Sequence, residues 1–216
     1  SVTTITGTTG ADGKATATVT STTAGTYVVT AKVNGAETRK NTTFVADATT
    51  AEITDANLVI DPDGAAANGT AKNGVTATVT DATGNVVPGA AVSFTVADGA
   101  SITTLTGTTG ADGKATAEVT STTAGTYLVT ATVNGNATSK NTTFVADATT
   151  AEITDANLVI DPDGAAANGA AKNGVTATVT DATGNVVPGA AVSFTVADGA
   201  SITTLTGTTG ADGIAT

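Results

Sequence analysis

The sequence predicts an all-β protein made of tandem β-sandwich domains with about seven strands each, and three observations predict it. The chain repeats itself: residues 1–100 and 101–200 differ at only nine positions, and residues 201–216 begin a third copy, with Ile214 where Lys14 and Lys114 stood. Each copy reads as short runs in which apolar and polar residues alternate, the pattern of a strand with one face on a core and one in water. Turn pairs separate the runs at the spacing of a sandwich. A period of 100 residues is longer than the roughly 20–50 of a solenoid repeat. It suits one independently folding domain per period.

In chain order, Ile53–Ile60 opens the set, and its long apolar end predicts a strand covered on both faces. Gly74–Asp81 follows with Val75, Ala77 and Val79 inward and Thr76, Thr78 and Thr80 outward. Ala91–Asp98 directs Val92, Phe94 and Val96 inward. Then come Ser101–Gly107 and Lys114–Ser121, the latter with Ala115, Ala117 and Val119 inward. Thr126–Val133 turns Tyr127, Val129, Ala131 and Val133 inward, and Asn136–Val145 closes the set. Helix is expected only as a short turn around Gly64–Ala67. The expected turns are Asn73-Gly74, Gly84-Asn85, Pro88-Gly89, Asp98-Gly99, Asp112-Gly113 and Asn134-Gly135. Asn-Gly and Asp-Gly provide the positive φ angles that type I′ hairpins need.

Differences between copies test this pattern. In a two-residue hairpin centred on Asn34-Gly35, Lys32 faces Glu37, and the second copy has Thr132 and Ala137 there, so both members of a cross-strand pair change together. Thr18→Glu118 falls on an outward position. Lys40 and Lys140 take inward parity, which predicts either a bulge in the last strand or a lysine at the sandwich rim.

Composition excludes several function classes. With 19 acidic and 8 basic residues the net charge is −11, which repels a phosphate backbone and makes nucleic acid a poor partner. Cysteine and histidine are absent, and no Ser or Thr has a base beside it in the pattern, so no catalytic site is expected. Asp61-Pro62-Asp63-Gly64 reads as a turn instead of a paired carboxylate. No run approaches the roughly 18 apolar residues of a membrane span, so any anchor is expected outside these residues.

The phase of the repeat places a complete domain at 47–146, flanked by 1–46, the late strands of an earlier copy, and 147–216, the early strands of a later one. The flanking pieces are expected to be disordered or to complete one another between chains.

The marks NGV-ATVTD-GN-VPG-VSFTV (73–96), T-GADGKA (109–115) and STTAGTY-VTA-VNG (121–135) resemble the bacterial immunoglobulin-like (Big-1) domain of the invasin and intimin adhesins. The resemblance runs through the whole period and implies tandem immunoglobulin-like sandwiches. It further implies an extracellular stalk on an outer-membrane-anchored adhesin, which holds a binding tip away from the cell. The marks are turn and core positions, which identify a fold better than an activity. The host receptor stays unidentified.

Calcium is the one cofactor the residues raise. Hard oxygen ligands suit it, and Asp47, Glu52 and Asp55, like Asp147, Glu152 and Asp155, gather near the expected domain junctions. The alternative is that these are solvated turn carboxylates. A Lys–Asn isopeptide bond at Lys40 or Lys140 is weighed against a rim lysine. The reading is a spacer whose partners are neighbouring repeats or copies of the same chain. The alternative is a self-assembling extracellular filament subunit.

Overall fold

The computed structural model of the chain describes residues 2–4 and 7–216, with side chains from residue 7 onward. Residues 1, 5 and 6, which belong to the expected leading piece 1–46, lie outside the described residues. The leading part has four strands: Val2–Thr4 (β1), Ala17–Val19 (β2), Gly25–Val33 (β3) and Ala36–Phe44 (β4). They pair as β1–β2 and β3–β4. The middle part has Leu58–Ile60 (β5), Ala65–Ala66 (β6), Asn73–Thr78 (β7), Ser93–Val96 (β8), Ala100–Thr106 (β9), Lys114–Ser121 (β10), Gly125–Val133 (β11) and Asn136–Val145 (β12). Leu158–Ile160 (β13), Val175–Thr178 (β14) and Ile214–Ala215 (β15) form a three-stranded sheet in the trailing part.

The middle strands form two four-stranded sheets, β5-β7-β10-β9 and β6-β12-β11-β8. Alternation explains which face each strand buries. Val75, Ala77 and Val79 are fully or almost fully buried, and so are Ala115, Ala117 and Val119. From the other sheet Phe94, Val129, Ala131, Val133 and Phe144 close the same core. A buried Val, Leu or Phe contributes roughly 1.5–3 kcal/mol each, so this small-residue core rests on many modest increments. Among the described residues the hydrophobic core cluster runs from Ala51 to Phe144.

Several expectations are corrected. The apolar run Ile53–Ile60 is a strand only at Leu58–Ile60; Asp55–Asn57 coils into a 3₁₀ turn first. Nor is it covered on both faces, because Leu58 is buried while Val59 is 42% exposed. Gly64–Ala67 holds β6, and helical turns lie at Ala48–Thr50 and Asp55–Asn57 and again at Ala148–Thr150 and Asp155–Asn157. Asn73-Gly74 is no turn but the start of β7. Gly74 is needed for close approach: a Cβ there would overlap the Asp61 carbonyl oxygen. Among the described residues the non-glycine positive φ angles belong to Asn34 and Asn134. Full I′ geometry is thus kept for the two hairpin tips, Asn34-Gly35 and Asn134-Gly135.

The inward parity of Lys140 is met at the rim. The β11–β12 ladder keeps unbroken register from Gly125↔Phe144 to Val133↔Asn136, while the bulge falls between β9 and β10 at Thr116/Ala117. The Lys140 ammonium donates to the Leu58 carbonyl at 3.0 Å, so its nearest partners are main-chain oxygens. In the leading hairpin Lys32 pairs with Glu37 in register and their charges meet at 3.4 Å.

Candidate functional site

The residues that gain new partners through the repetition itself lie where one copy meets the next. The turn DATGN at 81–85 forms because the Asp81 carboxylate gathers its own loop. Oδ1 accepts from Thr83 N, Thr83 Oγ1 and Asn85 N at 2.8–2.9 Å. Oδ2 accepts from Asn85 Nδ2 at 2.9 Å and from Asp47 N at 3.0 Å. Gly84 provides the left-handed residue, φ 86°. This fixes the loop to the incoming linker, whose Asp47 in turn caps the 3₁₀ turn through Thr49. Asp47, Thr49 and Thr50 of the linker are thus held by hydrogen bonds.

Held in this way, Asn85 points its carboxamide at the preceding copy. Ala24 N donates to Asn85 Oδ1 at 2.8 Å, and Asn85 Nδ2 donates to Thr22 O at 3.0 Å. The amide thus pairs with a main-chain donor and acceptor as a neighbouring strand would. The same clamp recurs one period on: Ala124 N donates to Asn185 Oδ1 at 2.8 Å, and Asn185 Nδ2 to Thr122 O at 3.1 Å. At this second joint Thr183 Oγ1 also donates to Ala67 O at 3.0 Å, and Asn68 Nδ2 to Asp147 Oδ2 at 3.0 Å. An apolar cleft lined by Phe44, Val45, Val86 and Pro88 lies beside the first joint.

The electrostatics follow from these bonds. Hydrogen bonds led by the Asn85 side chain hold the Asp81 carboxyl well below the usual carboxylate range, against the opposing effect of burial. Burial pushes Asp181 upward, but donors from Asn185, Asp147 N and Thr183 outweigh it, and the net shift is again downward. Asp147 is lowered by the Thr149 hydroxyl first and Asn68 second.

The six carboxylates considered as calcium ligands occupy these places in the fold. Asp47 and Asp147 are turn caps. Glu52 and Glu152 lie where the main chain bridges to Thr80 and Thr180. Asp55 and Asp155 begin 3₁₀ turns. Among the described residues no group of three or more His, Cys, Asp or Glu side chains is arranged to hold a metal ion. Also among them, no helix is long and apolar enough to cross a membrane. Sequence reasoning missed Asp81 and Asn85 as joint residues. The Gly84-Asn85 turn signal was legible, but its partner lies 61 positions away.

The two facing sheets of the middle repeat, bonded through an asparagine clamp to the copy on either side, define an immunoglobulin-like sandwich within a tandem array. The family model of the bacterial Ig-like domain (group 1) matches residues 55–145 and 155–216. The chain belongs to that family. Among solved structures it is similar to invasin, a bacterial integrin-binding protein, at 27% identity and a TM-score of 0.52, over 83% of this chain and 36% of the invasin chain. InvD of Yersinia pseudotuberculosis gives a TM-score of 0.58 at 22% identity, over 88% of this chain and 61% of that one, a likeness of fold alone. The chain thus spans little more than a third of the invasin chain. No curated protein matches it in sequence.

Proposed function

We propose that these repeats form the stalk of a bacterial cell-surface adhesin, a spacer that projects a distal binding tip into the extracellular space. The observation that supports this reading best is the recurrence of one joint, with Ala24–Asn85 and Ala124–Asn185 both at 2.8 Å. An array whose members grip one another through the same bonds sets distance and direction. The repeats run in this proposal as 1–46, 47–146 and 147–216, with the anchor to the outer membrane supplied by regions outside these residues. Their partners are neighbouring repeats, and receptor contact belongs to the tip.

Each sandwich adds roughly 30–40 Å, from seven-residue strands rising about 3.3 Å per residue plus their loops. Small-angle scattering on this chain and on one lengthened by a further 100-residue copy tests it. The maximum dimension should rise by one repeat length per copy. An unchanged dimension, or a chain that folds back on itself, would overturn the stalk. A concentration-dependent ladder of oligomers would favour the filament subunit instead.

A further inference from the structure

We propose that each repeat is a load-bearing unit, in which the leading segment is laced alongside the last strand so that tension on the array is resisted in shear. The geometry is a stepped series. Asn134 Nδ2 donates to Ala48 O at 2.9 Å, and Thr138 Oγ1 donates to Ile53 O. Lys140 Nζ reaches Leu58 O at 3.0 Å. Thr142 Oγ1 and Thr143 N both reach Asp63 Oδ1 at 2.8 Å. Ala67 N closes the series on Val145 O at 2.7 Å. As the leading segment advances, so does the last strand; the two run in the same direction, and β6 pairs with β12 in parallel register.

Direction decides how these bonds carry load. Tension pulls the leading segment from its upstream end near Asp47 and the last strand from its downstream end near Ala146. In a parallel pair those pulls slide one segment past the other. The bonds run from one segment to the other at successive points along both, so sliding loads them together. An antiparallel hairpin pulled from its open end would instead lose its bonds one at a time. Asp63 is the strongest point of the lacing. Its Oδ1 also receives Asn73 Nδ2 at 3.1 Å, and Asn73, fully buried, donates to Thr143 O at 2.8 Å.

The proposal goes beyond a spacer role and needs only that the two ends of a repeat be pulled apart. The test is single-molecule extension of the full chain held by its two ends. Rupture of the middle repeat is recognised by the release of on the order of 300 Å of chain. Asp63→Ala should shorten the lifetime at constant tension by about tenfold or more, because it removes at once the three bonds by which Asp63 holds Thr142, Thr143 and Asn73. Val119→Ala, in β10 away from the lacing, should shorten it far less at matched loss of equilibrium stability. Asp63→Asn keeps one acceptor and should act in the same direction with smaller size, which covers the case of an Ala variant that fails to fold. Equal shortening by Asp63→Ala and Val119→Ala would overturn the strap. So would a wild-type repeat that gives way as readily as an unzipped hairpin. Neither result would touch the reach per repeat, which scattering measures separately.

Discussion

Residues 25–44 and 125–144 fold into the same hairpin twice. Both keep one register residue by residue, from Gly25↔Phe44 and Gly125↔Phe144 inward to the Asn-Gly tip. Both set tyrosine edge-on to phenylalanine, at 5.9 and 6.1 Å, and both bond the tyrosine hydroxyl to a threonine carbonyl, at 2.9 and 2.8 Å. Burial is where they part. Tyr27 is 37% exposed and Val33 69%, whereas Tyr127 is 8% and Val133 1% exposed. The hairpin is therefore set locally by its turn and alternation, while its energetic value depends on the facing sheet. Identical residues should respond very differently to identical substitutions.

The largest contrast is expected at Asn73 and its counterpart Asn173. Asn73 is buried and binds Asp63, Thr142 and Thr143 O, while its own Oδ1 accepts from Ala65 N. Asn73→Ala should cost about 3 kcal/mol by leaving those groups unpaired. Asn173 is exposed, and Asn173→Ala should leave urea denaturation of the middle repeat unchanged. Equal effects would show that the buried network carries no stability.

Next in size is Val133→Ala, expected to cost about 2 kcal/mol through lost methyl burial and the space left behind. Val33→Ala should barely register. The chain has two tyrosines and no tryptophan, so tyrosine fluorescence during denaturation follows the buried Tyr127 against an exposed Tyr27.

Acid sharpens the comparison at the joints. The folded values of Asp81 and Asp181 lie below the unfolded value of about 3.9. The stability they contribute is therefore complete above about pH 5, declines as pH falls below about 4, and is lost as pH passes through the folded values. Melting temperature should be flat from pH 7 to 5 and fall below 4, and Asp81→Asn should flatten that fall. A wild-type midpoint that drops between pH 7 and 5 would contradict the assignment. A subtler change is expected for Asn185→Ala. It should lower the melting temperature only slightly, through the lost bond to Asp181, and broaden the distribution of distances between repeats, read by paired spin labels. The smallest effect belongs to Lys32→Thr with Glu37→Ala, the residues the second copy carries. Losing that exposed pair should cost under about 0.5 kcal/mol in the same denaturation experiment.

Much of the sandwich was legible because period-two alternation is a local signal. The bounds of β10 and β12 fall at the predicted Lys114–Ser121 and Asn136–Val145, and the Lys32–Glu37 pairing follows from turn arithmetic alone. Two of the misses share a cause, a residue type with two uses. Asn73-Gly74 has the letters of a turn, but its glycine makes room for the Asp61 carbonyl and its asparagine satisfies buried polar groups. Ile53 is buried like a strand residue, yet it precedes a 3₁₀ turn. Ala65–Ala66 carries no alternation that could announce a strand, and it pairs only because the last strand is beside it. The joint was the least legible part, since Asn85 meets Ala24 and Thr22 through their main chain, which no side-chain pattern records.

That last contact also determines how the array can change. The clamp takes hold of a backbone amide and backbone carbonyl, groups that every residue except proline offers alike. Its grip is therefore indifferent to which side chains decorate the receiving loop. The outward face of the hairpin has already been rewritten between copies, with Arg39 giving way to Ser139 and Ala36 to Asn136. The side chains around such a joint can change between copies while the bonds that couple one copy to the next stay the same.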